Sequence, residues 1–280
     1  VKIGVVGLGA MGSGIAQLAV EAGFETVGRE VELGRAEAAR DRIAHFLTRK
    51  VEKGLLDQPA RDAAVARLSL TDDLADLADC DVVIEAAFED LAVKHELFRA
   101  LEAVLSADTI IATNTSALSV TEIASALERP ERAVGMHFFN PAPLMPLVEI
   151  VRAERTTEAV WDAAFELGAK LGKTPIRCSD TPGFVVNRIL IPLLNDCVRV
   201  LDEAGVTPET LDEGMTKGAG WPMGPCTLLD LVGADVHVHA SEALYEKLRE
   251  PRMAPPARLL RMLQAGKLGR KTGEGFYTYD

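Results

Sequence analysis

The chain has 280 residues, 48% hydrophobic and 26% charged, with a net charge of −12 and an isoelectric point near 5.0. That is the composition of a globular protein of two modest domains, and its acidity argues against a nucleic-acid binder, whose affinity comes mainly from Lys and Arg set against phosphates. Cys80, Cys178, Cys197 and Cys226 form no Cys-x-x-Cys pair and have no metal-ligand spacing with histidine, so no metal is expected and a reduced, cytoplasmic setting is.

Val1 to Val20 is poor in charge, but Gly4, Gly7, Gly9, Gly12 and Gly14 break it into strand, turn and helix, which argues against reading it as a membrane span or signal peptide. Lys2 to Val6 has a buried-strand pattern and Ser13 to Ala22 a helical one. Between them lies Gly7-Leu8-Gly9-Ala10-Met11-Gly12, a G-x-G-x-x-G turn in strand-turn-helix context. Gly7 permits the tight turn, Gly9 lets the backbone approach a pyrophosphate, and Gly12 lets helix and strand pack closely, with the helix N-terminus facing the anion. A second strand, Glu25 to Arg29, delivers Glu30 near the spacing of an acid that bonds the adenosine ribose hydroxyls. An acid there repels a 2′-phosphate, which favours NAD over NADP. Arg29 beside it keeps NADP open, Gly28 weakens the strand, and a solvated acid at a strand end is the plainer alternative.

Gly34 to Gly54 predicts a long helix with Ile43, Phe46, Leu47 and Val51 on one face and Arg40, Arg42, Arg49, Lys50 and Lys53 supplying positive charge. Two readings are open: a solvated face, or a landing site for a phosphorylated substrate, since an acidic protein must gather positive charge locally to hold an anion. Asp81 to Ala86 and Thr109 to Ala112 predict further buried strands, with a helix over Lys94 to Leu105 between them. Strands alternating with helices from Lys2 to Val151 imply a mostly parallel, doubly wound α/β sheet, whose ligands sit beyond the carboxyl ends of the strands. Glu89, Asn114, Ser116 and His137 all follow predicted strands and fall on that rim. Ser116 reads equally well as a cap or as a substrate contact.

Arg132 to Met136 and Leu147 to Val151 predict two strands around the turn-forming Asn140-Pro141-Ala142-Pro143. A hairpin-like return brings Glu149 beside His137. A carboxylate on one imidazole nitrogen fixes the tautomer and leaves the other to exchange a proton; a satisfied structural histidine is the alternative. A helix over Thr157 to Leu171 and a last strand over Thr174 to Cys178 lead to the breaker cluster Ser179-Asp180-Thr181-Pro182-Gly183, so a nucleotide-binding domain is expected over residues 1–180 and a helical one over 181–280. The second domain reads as helices over Phe184 to Glu203, with a kink expected at Pro192, then from Thr207-Pro208, and over Ala234 to Leu248 and Pro256 to Gln264. Trp221 to Pro225 reads as a rigid turn. Its apolar surfaces suggest pairing with a second subunit.

These residues resemble the short-chain 3-hydroxyacyl-CoA dehydrogenases, including bacterial 3-hydroxybutyryl-CoA dehydrogenases, over essentially the full length. The resemblance is carried by the glycine turn at 7–12, Asn-Thr-Ser at 114–116, His-Phe-Phe-Asn-Pro at 137–141, Asp-Thr-Pro-Gly-Phe-Val-Val-Asn-Arg at 180–188, Pro-Met-Gly-Pro at 222–225 and Lys-Thr-Gly-Glu-Gly-Phe-Tyr at 271–277. It implies hydride transfer between C3 of a 3-hydroxyacyl-CoA and the nicotinamide of NAD, with His137 as general base or acid and Glu149 orienting it. Ser116 and Asn187 would hydrogen-bond the reacting substrate oxygens in an interdomain cleft. The resemblance also places Glu89, Lys94, Asn114, Asn140 and Lys271 around the cofactor and Lys53 near the CoA phosphates. Three positions depart from the family pattern: Phe46 for a frequent small serine near CoA, Gly28 for an apolar strand residue, and Thr113 for a serine. Two rivals are 3-hydroxyacid dehydrogenases, which resemble this chain in the glycine turn but use a catalytic lysine, and a silent binding or structural protein on the same scaffold, as in the related lens crystallins. The pairing of His137 with Glu149 disfavours the first, and intact His137, Glu149, Ser116 and Asn187 the second.

Overall fold

The computed structural model describes residues 1–279, which divide into two compact units, Val1–Thr181 and Pro182 onward. The N-terminal unit contains β1 (Lys2–Val6), α1 (Ala10–Glu21), β2 (Glu25–Arg29), α2 (Leu33–Glu52), α3 (Gln58–Ala66), β3 (Leu68–Thr71), β4 (Val82–Glu85) and α4 (Leu91–Val104). It continues with β5 (Ile110–Thr113), α5 (Val120–Ala124), β6 (Ala133–Phe138), β7 (Leu147–Arg152), α6 (Glu158–Lys170) and β8 (Thr174–Ser179). The strands form one sheet in the order β3-β2-β1-β4-β5-β6-β7-β8. β1 to β6 run parallel; β7 is antiparallel to β6, and β8 parallel to β7.

Alternation along each strand sends successive side chains to opposite layers. Ile3, Val5, Val82 and Ile84 pack on one face with Ile15 and Ala19 of α1, Ile43 and Leu47 of α2, and Leu167 of α6. Val6 and Val83 pack on the other with Phe98 and Leu101 of α4 and Ile123 of α5. Burial on both faces is why these strands are nearly unbroken apolar runs.

The chain order reverses between β1 and β4, and the crevice at that switch point is where the glycine turn lies. Gly7 has φ +85°, which costs an L side chain dearly. A Cβ at Gly12 would stand 1.8 Å from the Gly7 carbonyl oxygen, so the turn closes only without one. Gly28, the unexpected glycine of β2, has a related cause: a Cβ there would come within 2.8 Å of the Leu8 side chain, which fills that space and is 1% exposed.

Several N-terminal elements differ from the sequence reading. α3, α5 and the edge strand β3 were not anticipated. β6 extends through His137 to Phe138, because pairing with β7 continues past the expected end at Met136. α4 begins before Lys94 because Asp90 caps it, its side chain accepting the Val93 N–H at 3.0 Å.

The C-terminal unit consists of α7 (Val186–Ala204), α8 (Pro208–Glu213), α9 (Pro225–Val232), α10 (Ala234–Leu248) and α11 (Ala257–Gln264). Leu194 and Val198 of α7 meet Leu229, Val238 and Leu259 from α9, α10 and α11 in its core. Pro192 lies buried inside α7. Residues 221–224 lie outside the helices and lead into α9, which was not anticipated and whose first amides are capped from α8: Asp212 accepts Cys226 N–H at 2.8 Å and Thr227 N–H at 3.0 Å.

His237 of α10 is buried, with Nε2 2.9 Å from the Asn195 side-chain oxygen, while the Asn195 amide nitrogen donates to Ser241 and to the carbonyls of Arg252 and Met253. Burial pushes the imidazole down to about 4 from 6.5. The unfolded chain takes up this proton as pH falls through 6.5, whereas the folded one refuses it until about 4. Stability from this group is therefore whole above 6.5 and is lost between 6.5 and 4. From pH 7 to pH 5 the loss should be roughly 2 kcal/mol. Thermal unfolding of wild type and His237→Gln across that range checks it: the variant should lose less stability, and identical pH dependence would count against the assignment.

Candidate active site

The rim above β1, β2, β4, β5 and β6 carries most of the site residues anticipated from sequence. α1 starts at Ala10 with Gly9 as N-cap and no side-chain cap, so its first amides have no partner from a capping side chain. Nothing lies within 4 Å of where a Cβ of Gly9 would be. This bare backbone at a helix N-terminus suits a pyrophosphate. At the end of β2, Glu30 accepts the Leu8 N–H at 2.6 Å and its own neighbour's, Val31, at 3.1 Å. Glu30 is thereby tied to the glycine turn. Arg42 of α2 braces the same turn by donating to the Leu8 carbonyl at 3.0 Å. These residues fit a dinucleotide.

His137 and Glu149 are directly opposite in the β6–β7 register, so their side chains leave the same face of the sheet. Nδ1 of His137 stands 2.6 Å from Oε2 of Glu149, with the residues 5% and 0% exposed. At that distance the carboxylate fixes the tautomer with the proton on Nδ1. The Phe139 ring packs beside the imidazole at 4.6 Å between centroids. Cys178 of the neighbouring strand stays a thiol: burial, helped by the charges of Glu149 and Asp180, pushes it up to about 12.

Asn114 and Ser116 lie on the turn leaving β5. Asn114 Oδ1 accepts the Phe138 N–H at 2.9 Å, which fastens this turn to the residue after His137. Glu89 organises its other side, Oε1 accepting the Thr115 hydroxyl at 2.6 Å, Ser116 N–H at 2.8 Å and Ala117 N–H at 3.0 Å. Burial alone would raise the Glu89 carboxyl, but the charge of Lys94, the Thr115 hydroxyl and these two amides outweigh it and hold it below the usual range. Asp180 secures the far end, accepting from Ser119, Val120 and Thr121.

Lys94 is 1% exposed, its ammonium 2.6 Å from Glu85 and 3.5 Å from Glu89, so it braces the two carboxylates beneath the rim. Asn140 is exposed on the β6–β7 loop. That loop is pinned by a residue the sequence reading missed: the buried Lys173 ammonium donates to the carbonyls of Ala142 at 2.6 Å and Met145 at 2.9 Å. Glu85 was missed too, although a charge closing the apolar run Val82-Val83-Ile84 was the available signal.

On α2, Arg42, Phe46, Arg49 and Lys53 follow one another at helical spacing as an exposed stripe, with Phe46 54% exposed and Lys53 at the C-cap. Lys50 is instead ion-paired with Glu21. In the C-terminal unit, Asn187 sits half-buried on the first turn of α7, and Lys271 pairs with Asp235.

Residues 2–181 match the family model described as 3-hydroxyacyl-CoA dehydrogenase, NAD binding domain, and residues 183–279 the model of the C-terminal domain. The chain belongs to the 3-hydroxyacyl-CoA dehydrogenase family. It is 44% identical over 280 residues to a 3-hydroxybutyryl-CoA dehydrogenase of Mycobacterium tuberculosis, covering 99% of this chain and 98% of that one. A probable 3-hydroxybutyryl-CoA dehydrogenase of Deinococcus radiodurans is 42% identical, with 99% and 100% covered. The crystal structure of a Ralstonia eutropha (S)-3-hydroxybutyryl-CoA dehydrogenase superposes with a TM-score of 0.96 at 38% identity, covering 100% of this chain and 99% of that one. The family's members are NAD-dependent oxidoreductases, and the glycine turn and Glu30 lie in the part of this chain that matches its NAD-binding domain. Among the described residues, no helix is long and apolar enough to cross a membrane.

Proposed function

We propose that the protein interconverts a short-chain 3-hydroxyacyl-CoA, the four-carbon thioester foremost, and its 3-ketoacyl-CoA, with His137 and Glu149 as the proton-transfer pair. The observation that carries this reading is the buried 2.6 Å contact between His137 and Glu149 in direct cross-strand register. Bound NAD supplies the hydride acceptor in oxidation and, reduced, the hydride donor. Gly7 to Gly12 and Glu30 would hold its pyrophosphate and ribose, with Glu89, Asn114, Asn140 and Lys271 as further contacts. In oxidation His137 takes the proton from the C3 hydroxyl through Nε2, while Glu149 balances the imidazolium that forms; in reduction the same nitrogen returns it. Ser116 donates a hydrogen bond to the C3 oxygen, where negative charge develops, and Asn187 is proposed as a second donor to the substrate. The Arg42–Lys53 stripe supplies local positive charge for the CoA phosphates in a protein of net charge −12.

The reading extends to a homodimer formed through the C-terminal unit, supported by exposed Ile189, Leu231 and Val236, and to a cytoplasmic role in fatty-acid metabolism such as β-oxidation, which the four free thiols suit.

NADH oxidation by the purified protein with acetoacetyl-CoA, beside NADPH and beside free acetoacetate, tests the function. Fast loss of NADH with the thioester alone is expected, and much slower loss of NADPH because Glu30 repels the 2′-phosphate. Equal rates with free acetoacetate would remove the phosphate role of α2. Absence of turnover with every pair would overturn the enzyme reading.

A further inference from the structure

Glu85 closes β4 with its side chain 0% exposed, and no step of the proposed reaction uses it. Its oxygens serve three donors. Oε1 accepts from the Lys94 ammonium at 2.6 Å and the Ala87 N–H at 2.7 Å, and Oε2 from the Thr113 hydroxyl at 2.6 Å. Burying a charged pair is costly, and apolar residues of the same volume are often at least as stable, so stability alone does not call for this arrangement.

What the pair does is visible in its continuation. Lys94 reaches on to Oε2 of Glu89 at 3.5 Å, and Oε1 of Glu89 gathers Thr115, Ser116 and Ala117. Thr113 is the last residue of β5, and its hydroxyl also accepts the Thr115 N–H at 3.3 Å. Both ends of the 113–117 turn therefore depend on one carboxylate, Thr113 directly and Ser116 through Lys94 and Glu89.

We propose that Glu85 is a positioning residue for the dehydrogenase reaction, holding Thr113 and Lys94 so that the intervening turn presents Asn114 and Ser116 in a single geometry. The inference rests on the function proposed above, in which Ser116 touches the substrate. Glu85 itself touches neither substrate nor cofactor.

The test separates positioning from plain stability. Glu85→Gln alone leaves the Lys94 charge buried without a full counter-charge and is expected to lower the melting temperature and kcat together. Glu85→Leu combined with Lys94→Met removes both charges. It should melt close to wild type, yet kcat with NADH and acetoacetyl-CoA should fall on the order of a hundredfold, with KM little changed, because the reacting groups lose their alignment. Amide hydrogen exchange at Ser116 and Ala117 should accelerate in the same protein. A double variant with wild-type kcat and unchanged exchange would overturn the proposal. Should the double variant not fold, Thr113→Val, which removes one uncharged donor to Glu85, is expected to lower kcat and speed the same exchange, and wild-type behaviour there would overturn it. If wild-type protein itself fails to reduce acetoacetyl-CoA, the proposed function falls, and the exchange rates alone decide whether Glu85 positions the turn.

Discussion

His137→Gln is expected to lower kcat for acetoacetyl-CoA reduction by roughly a thousandfold, the range over which a positioned general acid acts, while leaving NADH binding nearly unchanged. Glutamine can still bond Glu149 but cannot take up and release a proton, so only the transfer step is removed. NADH binding is expected to survive because the glycine turn is built from other elements: Gly7 and Gly12 are fixed by close backbone packing, and Glu30 and Arg42 hold Leu8 from β2 and α2. Stopped-flow turnover and NADH fluorescence titration on the same preparation check both halves. Equal loss of binding and turnover would mean that His137 is structural.

Glu149→Gln should be nearly as damaging, lowering kcat by at least about a hundredfold by analogy with the loss of a carboxylate that orients a catalytic histidine. Two effects combine. The neutral amide no longer balances the imidazolium that forms in a site where both residues are almost wholly withdrawn from water, and there charge balance counts for more than at a surface. The amide can also present its NH2 to Nδ1 and so stabilise the opposite tautomer. The side chains remain similar in size, so the melting temperature should change little; a large fall in melting temperature with retained kcat would reverse the reading. Steady-state turnover beside differential scanning calorimetry settles it.

Much of this local geometry is legible in the sequence, for physical reasons. G-x-G-x-x-G between a strand and a helix is dictated by a turn that excludes side chains at positions 7 and 12, so it stands out in the chain. The return of Glu149 to His137 was legible because Asn140, Pro141 and Pro143 interrupt two apolar runs and leave an antiparallel partner as the simplest continuation. The end of β6 was misplaced because only its pairing with β7, a tertiary fact, carries the strand through His137.

What stayed hidden depends on contacts distant in sequence. β3 is four residues long at the sheet edge, too short for a period-two pattern to declare itself. α9 was not anticipated because its cap, Asp212, comes from α8. Lys173 looks like any solvated lysine in the sequence, and nothing there shows that Lys94 is buried; burial makes Lys94 the brace of Glu89 and Lys173 the clamp on the loop after Asn140. Gly28 looked like a weakness in β2 and proved to be the space that Leu8 fills. The departure at Phe46 is of another kind: expected on the apolar face of α2 with Ile43 and Leu47, it lies exposed within the basic stripe, outside the N-terminal core.

The measurement that bears most directly on the proton-transfer pair is the rate of NADH oxidation with saturating acetoacetyl-CoA in wild type, His137→Gln, Glu149→Gln and the double variant. Residues that act as one device are strongly non-additive. If Glu149 works by orienting and balancing His137, the double variant should be about as slow as His137→Gln alone. Losses that simply multiply would show two independent contributions and contradict the pairing read from the β6–β7 register.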